Sequence, residues 1–102
     1  MELTAGTRCK STVCDTEVVV VRPPDGAMTL ACGGADMVPI GADVVARGAI
    51  DATLAGRTQL GKRYADEDSG IEVLCTKAGE GTLTLNGVPL GLKGAKPLPS
   101  SD

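Results

Sequence analysis

Residues 8–37 read RCKSTVCDTEVVVVRPPDGAMTLACGGADM, and the reading of this stretch decides the fold. Val18-Val19-Val20-Val21 is a β-branched run without helical spacing, so a strand is expected over residues 16–22. Pro23-Pro24-Asp25-Gly26 reads as a turn, because proline presets φ, aspartate can bond its own backbone and glycine accepts positive φ. Residues 28–31 are expected to return as the partner strand, carrying Cys32 back beside Cys9 and Cys14. Gly33-Gly34 then permits a tight turn whose amide N–H groups can point at a sulfur.

Outward from this stretch the pattern weakens and then repeats. Across residues 40–63, Val44, Val45, Ile50 and Leu54 can line one face of a short helix, but Gly41, Gly48 and Gly56 oppose it, so a flexible connector is the alternative. Residues 62–68, KRYADED, read as a solvated loop. IEVLCT at 71–76 is a second strand, KAGEG at 77–81 a turn, and TLTL at 82–85 the returning strand. Asn86-Gly87 is the strongest hairpin signal in the chain, since both residues tolerate the positive φ of a type I′ turn. Pro89 marks an edge strand, and Pro97 and Pro99 leave the tail extended. Placing residues 18–38 over 71–91 aligns Val20 with Val73, Gly26 with Gly79, Thr29-Leu30 with Thr82-Leu83, and Gly34 with Gly87. The expectation is a small all-β protein of antiparallel hairpins, of metal-ribbon type. It forms one domain over residues 1–102, with a Cys-rich hairpin unit at 9–39, a flexible or weakly helical connector at 40–69, a second hairpin unit at 70–92 and an extended tail at 93–102.

Composition narrows the function classes. The 102 residues include 14 Gly, 6 Pro, no Phe or Trp, and Tyr64 as the only aromatic, so the core must be aliphatic. The net charge is −3 with no basic stripe, which argues against nucleic acid. The longest apolar run, residues 18–21, is far short of the ~20 needed to span a bilayer. MELTAGTRCK has no charged-then-apolar leader pattern, so the expected location is the cytoplasm, where thiols stay reduced. The chain has no His, no phosphate loop and no nucleophile elbow, which favours a non-catalytic protein without deciding the matter. Val18–Val21 presents apolar side chains to both faces of its strand, so a homodimer, a larger homo-oligomer or another protein partner is expected.

The four cysteines carry the remaining chemistry. A tetrahedral Zn or Fe ion takes soft, deprotonated ligands. Cys9, Cys14 and Cys32 can supply three, and Cys75 is the one thiol left to complete the set around a single mononuclear ion. The alternatives are plain reduced thiols or a redox-active Cys9–Cys14 disulfide, with Cys75 a small buried hydrophobe.

Residues 9–38 resemble the desulforedoxin group and the N-terminal domain of desulfoferrodoxins, which share features with rubredoxin and zinc-ribbon modules. The resemblance rests on the cysteine pair, the Val18–Val21 run, Gly26, Thr29-Leu30, Cys32-Gly33 and Asp36-Met37-Val38. It implies a β-rich fold, one iron held by cysteine thiolates, and pairing as dimers. It carries over Cys9, Cys14 and Cys32 as ligands and leaves the fourth open, with C-x4-C here where that group has C-x2-C. The C-terminal part resembles only uncharacterised small bacterial proteins. The expected function is a non-catalytic β module with a structural thiolate metal, acting as an accessory or assembly subunit. The alternative is a small iron electron carrier or redox protein.

Overall fold

The computed structural model describes residues 2–43 and 48–93. Among the described residues the chain is all-β, with two antiparallel sheets and one 3-10 turn. The first half forms β1 (Arg8–Lys10), β2 (Glu17–Arg22), β3 (Leu30–Cys32), β4 (Ala35–Asp36) and β5 (Val38–Pro39). The second forms β6 (Arg63–Ala65), β7 (Glu72–Lys77), β8 (Leu83–Leu85), β9 (Val88–Pro89) and β10 (Gly91–Leu92). One sheet runs β10-β6-β7-β2-β1-β5 and the other β4-β3-β8-β9.

The halves are copies of one plan. Their strands are 3, 6, 3, 2 and 2 residues long, in the same order twice. β1 pairs with β2 and β5 as β6 pairs with β7 and β10, and β3 pairs with β4 as β8 pairs with β9. The halves join where like meets like: β2 on β7, with Val19 opposite Leu74, and β3 on β8, with Ala31 opposite Thr84. These pairings map onto themselves when the halves are exchanged, so the molecule has an internal pseudo-two-fold.

The sequence alignment needs a shift to match this. Arg8 and Arg63, like Glu17 and Glu72, open matching strands 55 positions apart, whereas Leu30 and Leu83 are 53 apart. Val73 therefore corresponds to Val18, and the aligned pair Val20 and Val73 are cross-strand neighbours instead. The loop between β2 and β3 is simply longer than the one between β7 and β8.

The Pro23–Gly26 turn is a corner, not a hairpin. Both edges of β2 are occupied, by β1 and β7, so β3 leaves for the second sheet and pairs with β4 and β8. Residues 71–85 turn the same corner, because β7 and β8 also lie in different sheets. Asn86-Gly87 does make the expected tight turn, with φ of 48° and 83°, and Gly33-Gly34 makes its counterpart at 65° and 90°. Pro89 lies on the edge strand β9.

β6 falls inside the stretch read as a connector, because its one buried residue, Tyr64, has polar neighbours that resemble a loop in sequence. Val44 and Val45, on which a helix reading depended, lie outside the described residues, as does the tail beyond Lys93. The described part of the middle holds one 3-10 turn, Ala52–Leu54, whose N-cap Asp51 accepts from Thr53 N–H at 2.9 Å. It is tied down by backbone bonds from Gly48 to Thr12 (3.0 Å), Asp51 to Gly33 (2.9 Å), Thr82 to Leu54 (2.8 Å), Arg57 to Glu80 (2.9 Å) and Thr58 to Gly79 (2.9 Å). Residues 48–58 are thus a strap that joins the first half to the loop between β7 and β8.

Val18, Val20, Leu30 and Met37 share one core with Ile71, Val73, Leu83 and Leu85. Alternation is clean in β2: Val18 and Val20 are buried while Val21 is exposed. Each fully buried aliphatic side chain contributes roughly 1.5–3 kcal/mol. The second half therefore supplies within one chain the apolar face that an aliphatic hairpin unit lacks. Among the described residues, no helix is long and apolar enough to cross a membrane.

Candidate thiol site

Cys14 lies in the loop between β1 and β2. Ser11 N–H donates to the Thr16 carbonyl at 2.9 Å, and Ser11 Oγ accepts from the N–H groups of Val13 and Cys14, both at 3.1 Å. That turn points Cys14 inward. Cys32 ends β3 and faces it, with the two Sγ atoms 3.7 Å apart. Both are buried, at 5% and 0% exposure.

Polar groups surround Cys14 Sγ. Ser11 Oγ is at 3.4 Å and Thr16 Oγ1 at 3.3 Å, and Gly81 N–H donates to the sulfur across 3.4 Å. Thr16 Oγ1 in turn lies 2.9 Å from Thr58 Oγ1, which accepts from Gly79 N–H at 2.9 Å. The strap residue Thr58 therefore braces the hydroxyl that braces the thiol. A thiol can donate to these hydroxyls, and a thiolate can accept from them when they rotate.

The two cysteines differ in acidity. Burial raises the Cys14 thiol, but hydrogen bonds from Ser11, Thr16 and the Gly81 backbone outweigh it and leave it lowered to about 7. Cys32 has fewer such partners; burial dominates, the neighbouring Cys14 adds to it, and the thiol is pushed up to about 12. Burial also raises Cys9.

No family model, curated protein or solved structure matches this chain. The geometry must therefore carry the functional reading.

Cys9 and Cys75 lie elsewhere in the core. In register, Cys9 of β1 and Cys75 of β7 flank Val18 of β2, so the two Cα atoms are about 10 Å apart across two strand spacings. Cys75 Sγ donates to the Lys77 carbonyl at 3.2 Å. Among the described residues, no three of Cys, Asp, Glu and His converge as a metal-holding group. Cys14 and Cys32 are brought together; Cys9 and Cys75 are not gathered with them into such a group. Beside the Cys9–Cys14 redox pair expected from sequence, the structure thus offers a second pairing, Cys14 with Cys32.

Two glycines close the site. A Cβ on Gly81 would come within 2.7 Å of Cys32 Sγ and 2.8 Å of Gly33 N, and one on Gly33 would meet Val13 and Ile50 at 2.7 and 2.9 Å. Sequence reasoning missed Ser11, Thr16, Thr58 and Gly81 entirely. Hydroxyls two or three positions from a cysteine were a usable signal; Thr58 and Gly81, far away in sequence, left none.

The pseudo-two-fold places Tyr64, Ser69 and Leu85 at the positions of Cys9, Cys14 and Cys32. Two open clefts follow the same symmetry. One, of about 260 Å³, has Ser11, Glu17 and Lys77 with Cys14 in its lining. The other, of about 460 Å³, has Asp66, Glu72 and Arg22 at the corresponding places. In the second, Glu72 is buried and ion-paired to Lys93 and to Arg63, the latter at 3.0 Å. Lys93 first, then Arg63, hold its carboxyl below the usual range against the opposing effect of burial.

Proposed function

We propose that this chain is a non-catalytic β module in which Cys14 and Cys32 give two thiolates to one mononuclear Zn or Fe ion, and that it serves as an accessory or assembly subunit. One observation carries the reading: the 3.7 Å separation of the two sulfurs. Two thiolates about 2.3 Å from a tetrahedral ion stand roughly 3.8 Å apart, whereas a disulfide needs about 2.05 Å. The hydroxyls and the Gly81 N–H around Cys14 suit a charged sulfur. Cys9 and Cys75 remain the thiol candidates for completing the set. The chain has no His, the commonest general base, which favours a structural role for the metal. Cytoplasmic location and association with a second copy or another protein belong to the same proposal, supported by cysteine use and by exposed Val21, Val88 and Leu92.

Metal analysis and a visible spectrum of anaerobically loaded protein test it. One Zn or Fe per chain is expected, lost in Cys14→Ser and in Cys32→Ser, with a lower melting temperature after chelation. Thiolate charge-transfer bands from iron would favour the electron-carrier alternative. A chain that takes up neither ion overturns the reading.

A further inference from the structure

We propose that Cys14 and Cys32 also form a thiol–disulfide exchange pair, with Cys14 reacting with a small zwitterionic disulfide from the cleft and Cys32 closing the bond behind it. This chemistry needs no metal and stands on the pair alone.

The two sulfurs occupy unequal positions in contact with each other. Cys14 helps line the 260 Å³ cleft, while Cys32 Sγ sits 3.7 Å behind it with no exposed surface. A reagent in the cleft therefore meets Cys14 first. Closing 3.7 Å to a bond of about 2.05 Å needs a movement of under ~2 Å, and Cys14 sits in a loop rather than a strand. The cleft lining carries both signs in balance, with Lys10 and Lys77 as cations and Asp15 and Glu17 as anions. A small-molecule disulfide that carries both ammonium and carboxylate groups, as oxidised glutathione does, matches that mixture of charges. The equivalent positions Ser69 and Leu85 show that the scaffold closes without thiols there, so the pair is not a packing requirement.

The step balances as a two-electron exchange. The Cys14 thiolate attacks one sulfur of the small disulfide, forming a mixed disulfide and releasing one thiolate. The Cys32 thiol gives its proton to the released thiolate or to water and attacks Cys14 Sγ. The second small thiolate leaves and is protonated. The protein dithiol is oxidised, and one small disulfide is reduced to two thiols.

Oxidised glutathione, added to the reduced, chelator-treated full chain, is the probe. The expected products are an intramolecular Cys14–Cys32 bond, located by alkylation and peptide mapping, and two glutathione thiols per chain. Cys32→Ser is expected to stop at a Cys14–glutathione mixed disulfide, and Cys14→Ser to lose the reaction. Cys9→Ser and Cys75→Ser should retain it, with circular dichroism confirming that each variant folds. The proposal is overturned by a bond mapped to Cys9 or Cys75, by a mixed disulfide that persists in the native chain, or by thiols that react only in denaturant. A chain that forms the bond but takes up no metal keeps this inference and removes the metal reading; a chain that holds metal but never forms the bond does the reverse.

Discussion

The two halves of the molecule share a backbone plan but not a chemistry. In the first, Ser11 Oγ accepts from Cys14 N–H at 3.1 Å; in the second, Asp66 Oδ2 accepts from Ser69 N–H at 3.1 Å. The same loop is thus closed by a hydroxyl in one copy and a carboxylate in the other. Inside it, the thiols of Cys14 and Cys32 give way to Ser69 and to Leu85, which simply joins the apolar core. The difference separates what the fold needs from what it carries. The architecture needs a buried residue at the end of β3 and of β8; it does not need sulfur.

Truncation at the two equivalent strand ends should break the equivalence most. Leu85 is buried in the shared core, so Leu85→Ala is expected to cost about 2–5 kcal/mol. Cys32→Ala removes only a sulfur from metal-free protein and should cost about 1 kcal/mol, on the scale of one buried methylene. Urea denaturation of the two variants measures the gap. Equal losses would mean that Cys32 is a packing residue like its counterpart.

A smaller contrast is expected at the turns. Gly34 and Gly87 have φ of 90° and 83°, so alanine at either adds similar backbone strain, about 1–2 kcal/mol. The space around them differs. A Cβ at Gly34 would lie 2.8 Å from Asp51 Cβ in the strap, while one at Gly87 meets nothing within 4 Å. Gly34→Ala should therefore cost roughly 1–3 kcal/mol more than Gly87→Ala. Indistinguishable melting temperatures would show that the strap yields freely.

Much of this plan was legible in the chain. The Val18–Val21 run, the Asn86-Gly87 turn and Pro89 on an edge each follow from a local rule, and each lies where that rule puts it. What was hidden depended on pairing. Nothing local says that Pro23–Gly26 turns a corner between sheets, because that outcome is decided by β7 occupying the free edge of β2 from 50 residues away. The repeat itself extended upstream to Arg8-Cys9 and Arg63-Tyr64, but the unequal loops after β2 and β7 broke its register. Of the site, the cysteines were visible; the choice of Cys32 as the neighbour of Cys14 came from how the sheets fold over each other.

The subtlest contrast concerns protons, since at these equivalent positions the first half has the thiols of Cys14 and Cys32 and the second has Ser69 and Leu85. Hydrogen bonds to Cys14 overcome burial and lower its thiol to about 7 in the folded chain, against about 8.5 for an unfolded cysteine. A lowered value favours the folded state wherever the thiolate exists. That contribution is present in full above about 8.5 and is lost as pH falls through 7. Cys32 acts in the opposite sense: burial pushes it up to about 12. Its effect is to weaken the fold as pH rises from about 8.5 toward 12, where an unfolded thiol ionises and the buried one does not. Metal-free protein should accordingly gain stability between pH 7 and about 8.5 and lose it again above, giving a maximum near the ordinary thiol value. Cys14→Ser copies the residue of the second half and should flatten the rising limb while leaving the falling one. Urea midpoints across this range decide the point, and alkylation of Cys14 in the folded chain should show its own midpoint near pH 7. A rising limb that survives in Cys14→Ser would move the responsible proton to another group.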